Sequence, residues 1–204
     1  MNVNYKILSV ALIICIAFLL FRVNTDVPSA DVVLNNIHTR TSVREYSDKK
    51  VSEEILTTLV KAAMAAPTAG NMQPWNFLVL QDKEELEKIS QIHTYTKPLG
   101  GARAAIVVTG DMSTYENRQD FSKFWLTDGS VATQNILLAA HSLGLGAVWL
   151  SVYPSEERDS KLREVIKVPE NTNILCIVSL GYPARDFVPK NKWKPEKLSF
   201  DKFD

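Results

Sequence analysis

Arg40, Thr41, Ser42 and Arg44 put two guanidinium groups and two hydroxyls within five residues. A phosphate monoester carries roughly −1.5 to −2 charges at neutral pH. A guanidinium forks onto two of its oxygens, and a hydroxyl adds a further hydrogen bond. A second block, Pro67-Thr-Ala-Gly-Asn-Met-Gln-Pro-Trp75, has neither helical nor strand periodicity. It is bounded by prolines and carries the Thr68 hydroxyl, the Asn71 and Gln73 carboxamides and an indole. Such neutral groups suit a flat heterocycle. Cations for a phosphate and neutral donors and acceptors for a ring are what a mononucleotide cofactor needs. Lys190 and Lys192 stand two apart in a polar segment, so an extended chain would point both the same way. Taken alone, the lysine pair reads as a solvated basic face.

At these residues the chain resembles the FMN-dependent nitroreductase family. Three further stretches agree: Asp128-Gly-Ser-Val-Ala-Thr-Gln-Asn-Ile-Leu-Leu-Ala-Ala140 with the family's long central helix, Gly144-Leu-Gly-Ala-Val-Trp-Leu150 with the turn and strand after it, and Gly181-Tyr-Pro183 followed by Pro189-Lys-Asn-Lys192 with its closing segment. The resemblance spans roughly residues 31–198. It implies an α+β fold in which a central mixed sheet is flanked by helices around a long buried central helix. It also implies an intimate homodimer with FMN between the subunits. Arg40, Thr41 and Ser42 match the family's phosphate site, and Lys190 and Lys192 its second phosphate-binding segment. Arg44 matches the cation beside flavin N1 and O2, a redox tuner, with Lys97 as a second such residue. Pro67, Thr68, Asn71 and Gln73 match the loop that frames the ring. Leu150 and Ser151 match the turn whose backbone N–H faces flavin N5, although relatives often carry Gly or Glu where Ser151 stands.

The activity implied is hydride transfer from NADH or NADPH through flavin N5 to a nitro-aromatic, quinone or similar small acceptor, in a ping-pong cycle. Two alternatives stay open. One is a family member with different flavin chemistry, such as reductive dehalogenation or flavin destruction. Tyr115, Phe121 and Phe124 are then the lid aromatics. The other is a tethered, non-catalytic scaffold of the same fold.

The elements that position these residues follow from periodicity. Asp31 opens a short helix with Val32, Val33, Leu34 and Ile37 as its stripe. Ser52, followed by Glu53 and Glu54, opens a clearer helix with Ile55, Leu59, Ala62, Ala63 and Ala66 on one face, ended by Pro67. Strands are expected over 75–80, 104–109, 147–152 and 173–180. Asp82 opens a helix to about His93, and Ser155 opens another that ends before Pro169. The helix over 127–143 is nearly free of charge after Asp128, so most of its faces must be covered, either in the middle of the domain or at a subunit interface; the resemblance implies the interface, with Leu137 buried there.

Composition excludes several classes. The 23 cationic and 23 anionic side chains balance, which argues against a nucleic-acid surface. Cys176 sits in an apolar strand run and reads as a small hydrophobe. The three histidines lie at 38, 93 and 141, without metal-ligand spacing. No Gly-x-Gly-x-x-Gly opens a helix after a strand, and no nucleophile elbow occurs. Residues 1–30 are read as a separate element preceding a domain over 31–204. Ile7 to Phe21 is apolar but for Ser9, between Lys6 and Arg22. At 1.5 Å per residue it spans roughly 22 Å, short of a ~30 Å hydrocarbon core. A signal peptide or a short membrane anchor is expected, and with it export or tethering at a bacterial-type cell envelope, the cytoplasmic face remaining open.

Overall fold

The computed structural model describes residues 30–203, and the expected signal peptide or anchor lies outside them. No helix among the described residues is long and apolar enough to cross a membrane. The chain divides at His38/Thr39. Helix α1 (Ala30–Thr39) leads up to that boundary, and its stripe of Val32, Val33, Leu34 and Ile37 is exposed.

The body beyond it is an α+β domain. Its helices are α2 (Glu53–Met64), α3 (Lys83–Ser90), α4 (Trp125–Ser142) and α5 (Glu156–Val165). Its strands are β1 (Trp75–Leu80), β2 (Ala104–Asp111), β3 (Gly146–Ser151) and β4 (Thr172–Gly181). The helix starts have the expected caps. Ser52 Oγ accepts from the Ile55 N–H, Asp82 Oδ1 from Glu85, and Ser155 Oγ from Arg158. Each cap satisfies a donor that the first helical turn leaves without a partner.

The four strands form one sheet in the order β1-β2-β4-β3, antiparallel at every pairing. The mixed sheet expected from the sequence is corrected on this point. Among the described residues parallel pairing enters only as an isolated bridge between Ser42 and Ala147. Strand direction depends on where each helix returns the chain, which apolar runs do not encode. Alternate residues of β2 serve opposite faces. Ala104, Ile106 and Val108 pack with α2 and α4, whereas Ala105 and Val107 pack with α3 and α5. A sheet covered on both faces explains why β2 is an unbroken apolar run.

Two expectations change. The helix from Asp82 ends at Ser90 rather than His93, because the His93 ring accepts from Tyr95 and the Thr96 hydroxyl accepts from the His93 N–H. That box starts a separate 3₁₀ segment, Thr94–Gly101. Leu137 is 6% exposed within the chain's own core, so it is no interface position. The side of α4 left more open carries Thr127, Val131 and Gln134. Cys176 is fully buried and its thiol is pushed up to about 12, chiefly by burial.

Candidate functional site

Helix α4 anchors the two sequence-predicted segments at its opposite ends, through His141 and Asp128, and β3 then runs back along the helix to Tyr153, whose ring meets that of Trp125 edge-on at 5.1 Å. At the C-terminal end, the Thr39 hydroxyl is 2.9 Å from His141 Nε2. Burial and then the charge of the adjacent Arg40 lower the His141 pKa. From there the backbone runs along β3: Ser42 bridges Ala147, and the Val43 N–H donates to the Ala147 carbonyl at 3.0 Å. The close approach requires Gly146, where a Cβ would stand 2.5 Å from Val43 Cγ1. The Tyr46 hydroxyl fixes the next turn. It donates to the Val43 carbonyl at 2.8 Å and accepts from Ser179 Oγ at 2.9 Å, and burial raises its pKa.

That path delivers Arg44 to a cavity of about 530 Å³, within the size range of small-molecule sites. Leu150 and Ser151, two more sequence-predicted residues, line it as well. Tyr95, Tyr153 and Arg158 also line it, and the sequence reading missed them. Thr94 and Pro98 come from the 3₁₀ segment, whose only local signal was the His93-x-x-Thr96 box. Lys97, between them, is exposed. Glu45 does not neutralise Arg44, because Arg185 holds both its oxygens at 3.0 Å. The pair also lowers the Glu45 pKa.

The loop over 67–73 sits at the N-terminal end of α4. Asp128 in the first helical turn accepts the Ala69 N–H on Oδ1 at 3.1 Å. Thr68 Oγ1 accepts from the Gln73 N–H at 3.2 Å, and Gln73 Nε2 donates to Asn71 Oδ1 at 3.1 Å. Pro67, Thr68, Asn71 and Gln73 are therefore brought into one loop. Its backbone is left-handed at Gly70 (φ 59°), Asn71 (φ 55°) and Gln73 (φ 51°). Asn tolerates this conformation, but Gln pays about 1–2 kcal/mol, and such strain concentrates at functional sites. At Gly70 a side chain is excluded twice, by φ and by Phe121, whose ring lies 2.7 Å from the Cβ position.

Among the described residues, Trp75 Nε1, Tyr115 Oη and Asp128 Oδ2 are buried side-chain polar atoms without a hydrogen-bond partner. Burial raises the Asp128 pKa against the Ala69 hydrogen bond. Tyr115 is pushed up to about 12 by burial and then by Asp128. Being wholly buried, Tyr115 is no lid residue, which corrects the sequence reading. Phe121 packs on the loop, and Phe124 is partly exposed.

The two ends do not meet within one chain. Thirteen residues separate Asp128 from His141 on α4, about 20 Å at 1.5 Å per residue. Lys190 and Lys192 lie in an exposed arm after Gly181 that carries a short 3₁₀ turn, Pro195–Lys197. Among the described residues, no salt bridge engages Arg40, Arg44, Lys190 or Lys192. Four unneutralised cations at the positions read for a phosphate and an electron-rich ring edge fit an anionic cofactor. No three His, Cys, Asp or Glu side chains among the described residues are grouped to hold a metal.

The chain is similar to known proteins in sequence and in fold. The chain matches the model of the nitroreductase family over residues 37–94 and 92–182. A relative from Archaeoglobus fulgidus carries the provisional name NADH dehydrogenase/NAD(P)H nitroreductase. It is 46% identical over 173 residues, covering 83% of this chain and 98% of its own. A solved FMN-dependent nitroreductase from Clostridium difficile superposes with a TM-score of 0.75 at 33% identity, over 83% of this chain and 99% of that one. A solved Desulfovibrio desulfuricans protein in complex with FMN gives a TM-score of 0.71 at 29% identity, over 88% and 100%.

Proposed function

The chain belongs to the nitroreductase family, and we propose that it works as an FMN-dependent oxidoreductase carrying reducing equivalents from NAD(P)H to a nitro-aromatic, quinone or similar small acceptor in a ping-pong cycle. The hydride chemistry is that of bound FMN; binding, orientation and charge come from the chain. Arg40, Thr41 and Ser42 hold the phosphate, with Lys190 and Lys192 as the second cationic segment. Arg44 places a permanent positive charge at the edge of the ring where negative charge accumulates on reduction. Pro67, Thr68, Asn71 and Gln73 frame the ring, and the Leu150–Ser151 backbone closes it on the β3 side. No acid, base or metal is required of the protein.

The observation that carries this reading is the separation of the two motifs to opposite ends of α4. On this reading the two motifs of one copy serve two different cofactors. A two-fold partner with its α4 antiparallel brings the loop end of one copy to the cationic end of the other, and symmetry makes two such sites. The arm supports a second copy. Val188, Trp193, Leu198, Phe200 and Phe203 are 51–92% exposed, more apolar surface than a lone domain ordinarily shows to water. Nothing favours the branches with a lid, since Tyr115 belongs to the core. The same reading puts the domain at the cell envelope, exported or tethered through residues 1–30, which fractionation of cells making the full chain tests.

The test of the function is complementation. Arg40→Ala and Asn71→Ala copies are each expected to bind FMN poorly. Mixed after mild unfolding, they should regain about a quarter of the flavin sites through random pairing of two copies. That flavin should bleach with NADH or NADPH under argon. Wild-type protein that takes up no flavin would sink the enzyme reading. Recovery of none on mixing would sink the shared site.

A further inference from the structure

The cavity at the end of β3 holds one more cation than the cofactor reading uses. Its lining includes two guanidinium groups, Arg44 and Arg158, and no carboxylate. Among the described residues neither makes a salt bridge, for traceable reasons. Glu45, beside Arg44, is held by Arg185. On α5 the acids flanking Arg158 pair four residues onward: Glu157 with Lys161 at 2.7 Å and Asp159 with Arg163 at 2.6 Å. The helical neighbours of Arg158 itself are Pro154, Ser155, Lys161 and the buried Leu162. Helix side chains pair at three and four residues, so Arg158 finds no carboxylate on its own face. Glu157 feels its charge but hydrogen-bonds to Lys161. Around the two cations stand the rings of Tyr95, Trp149 and Tyr153.

A concave wall of one charge sign concentrates the opposite charge, aromatic walls take flat ligands, and a guanidinium fork matches a carboxylate or phosphate. We propose that Arg158 is a specificity residue. It receives an anionic group on the aromatic molecule that enters this cavity, so that the protein selects anionic aromatic ligands over neutral ones of the same shape. The reaction context rests on the function proposed above, but the binding preference does not. The anion has two sources, a carboxylate on the acceptor or the 2′-phosphate that distinguishes NADPH from NADH.

The experiment titrates 4-nitrobenzoate and its neutral isostere 4-nitrobenzamide into the full chain, with and without FMN. Quenching of Trp149 emission is the signal, with Trp149→Phe identifying it. The benzoate should bind about tenfold or more tightly than the amide, the scale of one charged hydrogen bond. That ratio should fall to near one in Arg158→Gln, keep part of its value in Arg158→Lys and survive Arg44→Gln. In parallel, the ratio of KM for NADPH to KM for NADH is measured in the same variants. A change confined to that ratio assigns the anion to the reductant, and a change confined to the benzoate ratio assigns it to the acceptor. The proposal is overturned if Arg158→Gln moves neither ratio, or if only Arg44→Gln abolishes the preference. Because the titration runs on flavin-free protein too, its failure is distinct from a failure of the cofactor reading, which shows as wild-type protein that never binds FMN.

Discussion

The two ends of α4 contrast in charge, strain and tethering. The C-terminal end anchors the segment that carries Arg40 and Arg44, which make no salt bridge among the described residues, and strand-like bonds lay that segment along β3. The N-terminal end gathers neutral amides on a strained loop, tied down by the buried carboxylate of Asp128. The helix dipole favours this arrangement, since negative charge is stabilised at a helix N-terminus and positive charge at its C-terminus. On the function proposed above, each set is incomplete alone and the pairing of two copies completes the site.

The contrast breaks most completely if the partner is removed. Val131→Arg puts an unpaired charge on the open side of α4, at a cost of about 3–5 kcal/mol if that side is buried by a second copy. The variant is expected to sediment as a colourless monomer, whereas wild type sediments as a flavin-bearing dimer. A yellow monomer from wild-type protein would end the shared-site model.

Arg40→Ala acts on the cationic end alone. It should weaken FMN by ~1.5–3 kcal/mol, the worth of a charged hydrogen bond, and leave riboflavin nearly unaffected. Fluorescence titration with both ligands checks this, and equal weakening would show that Arg40 does not hold the phosphate. Arg44→Gln, on the same end, should lower the flavin midpoint potential by on the order of 30–60 mV, since 30 mV corresponds to about 1.4 kcal/mol in a two-electron couple. Potentiometric titration decides it. An unchanged potential with FMN still bound would transfer the role to Lys97.

The smallest effect belongs to the other end. Asp128→Ala frees the Ala69 N–H and should cost about 1 kcal/mol of stability, while Asp128→Asn keeps an acceptor there. The pH dependence separates them from other carboxylates. Burial raises the folded-state pKa of Asp128 above 3.8. The protonated form therefore stabilises the fold at acid pH, and that contribution is lost as pH rises through the folded value. Relative to Asp128→Asn, wild type should lose stability from pH 3.8 upward and then level off. Urea titrations at stepped pH test this, and a flat difference would mean that Asp128 has the same pKa folded and unfolded.

The local elements and both motifs were legible from the amino-acid order alone. Ser52, Asp82 and Ser155 cap helices by bonds within three residues, so their evidence is local. The apolar run at 104–109 announced a strand, and the absence of charge along α4 announced a covered helix. Arg40 to Arg44 and Pro67 to Gln73 stood out because cations in a short polar segment and a non-periodic amide-rich loop have few structural uses. Tertiary structure alone decided the rest. Leu137 is buried and Val131 only partly so because α4 has a rotation that only the sheet sets. Tyr115 is buried because the chain after β2 folds back onto α4, a long-range event without local signature. Arg158 joins Arg44 because α5 packs beside β3, more than a hundred residues downstream. Periodicity reports which side chains share a face; where that face comes to rest, and which charges it meets, is settled by packing between distant segments.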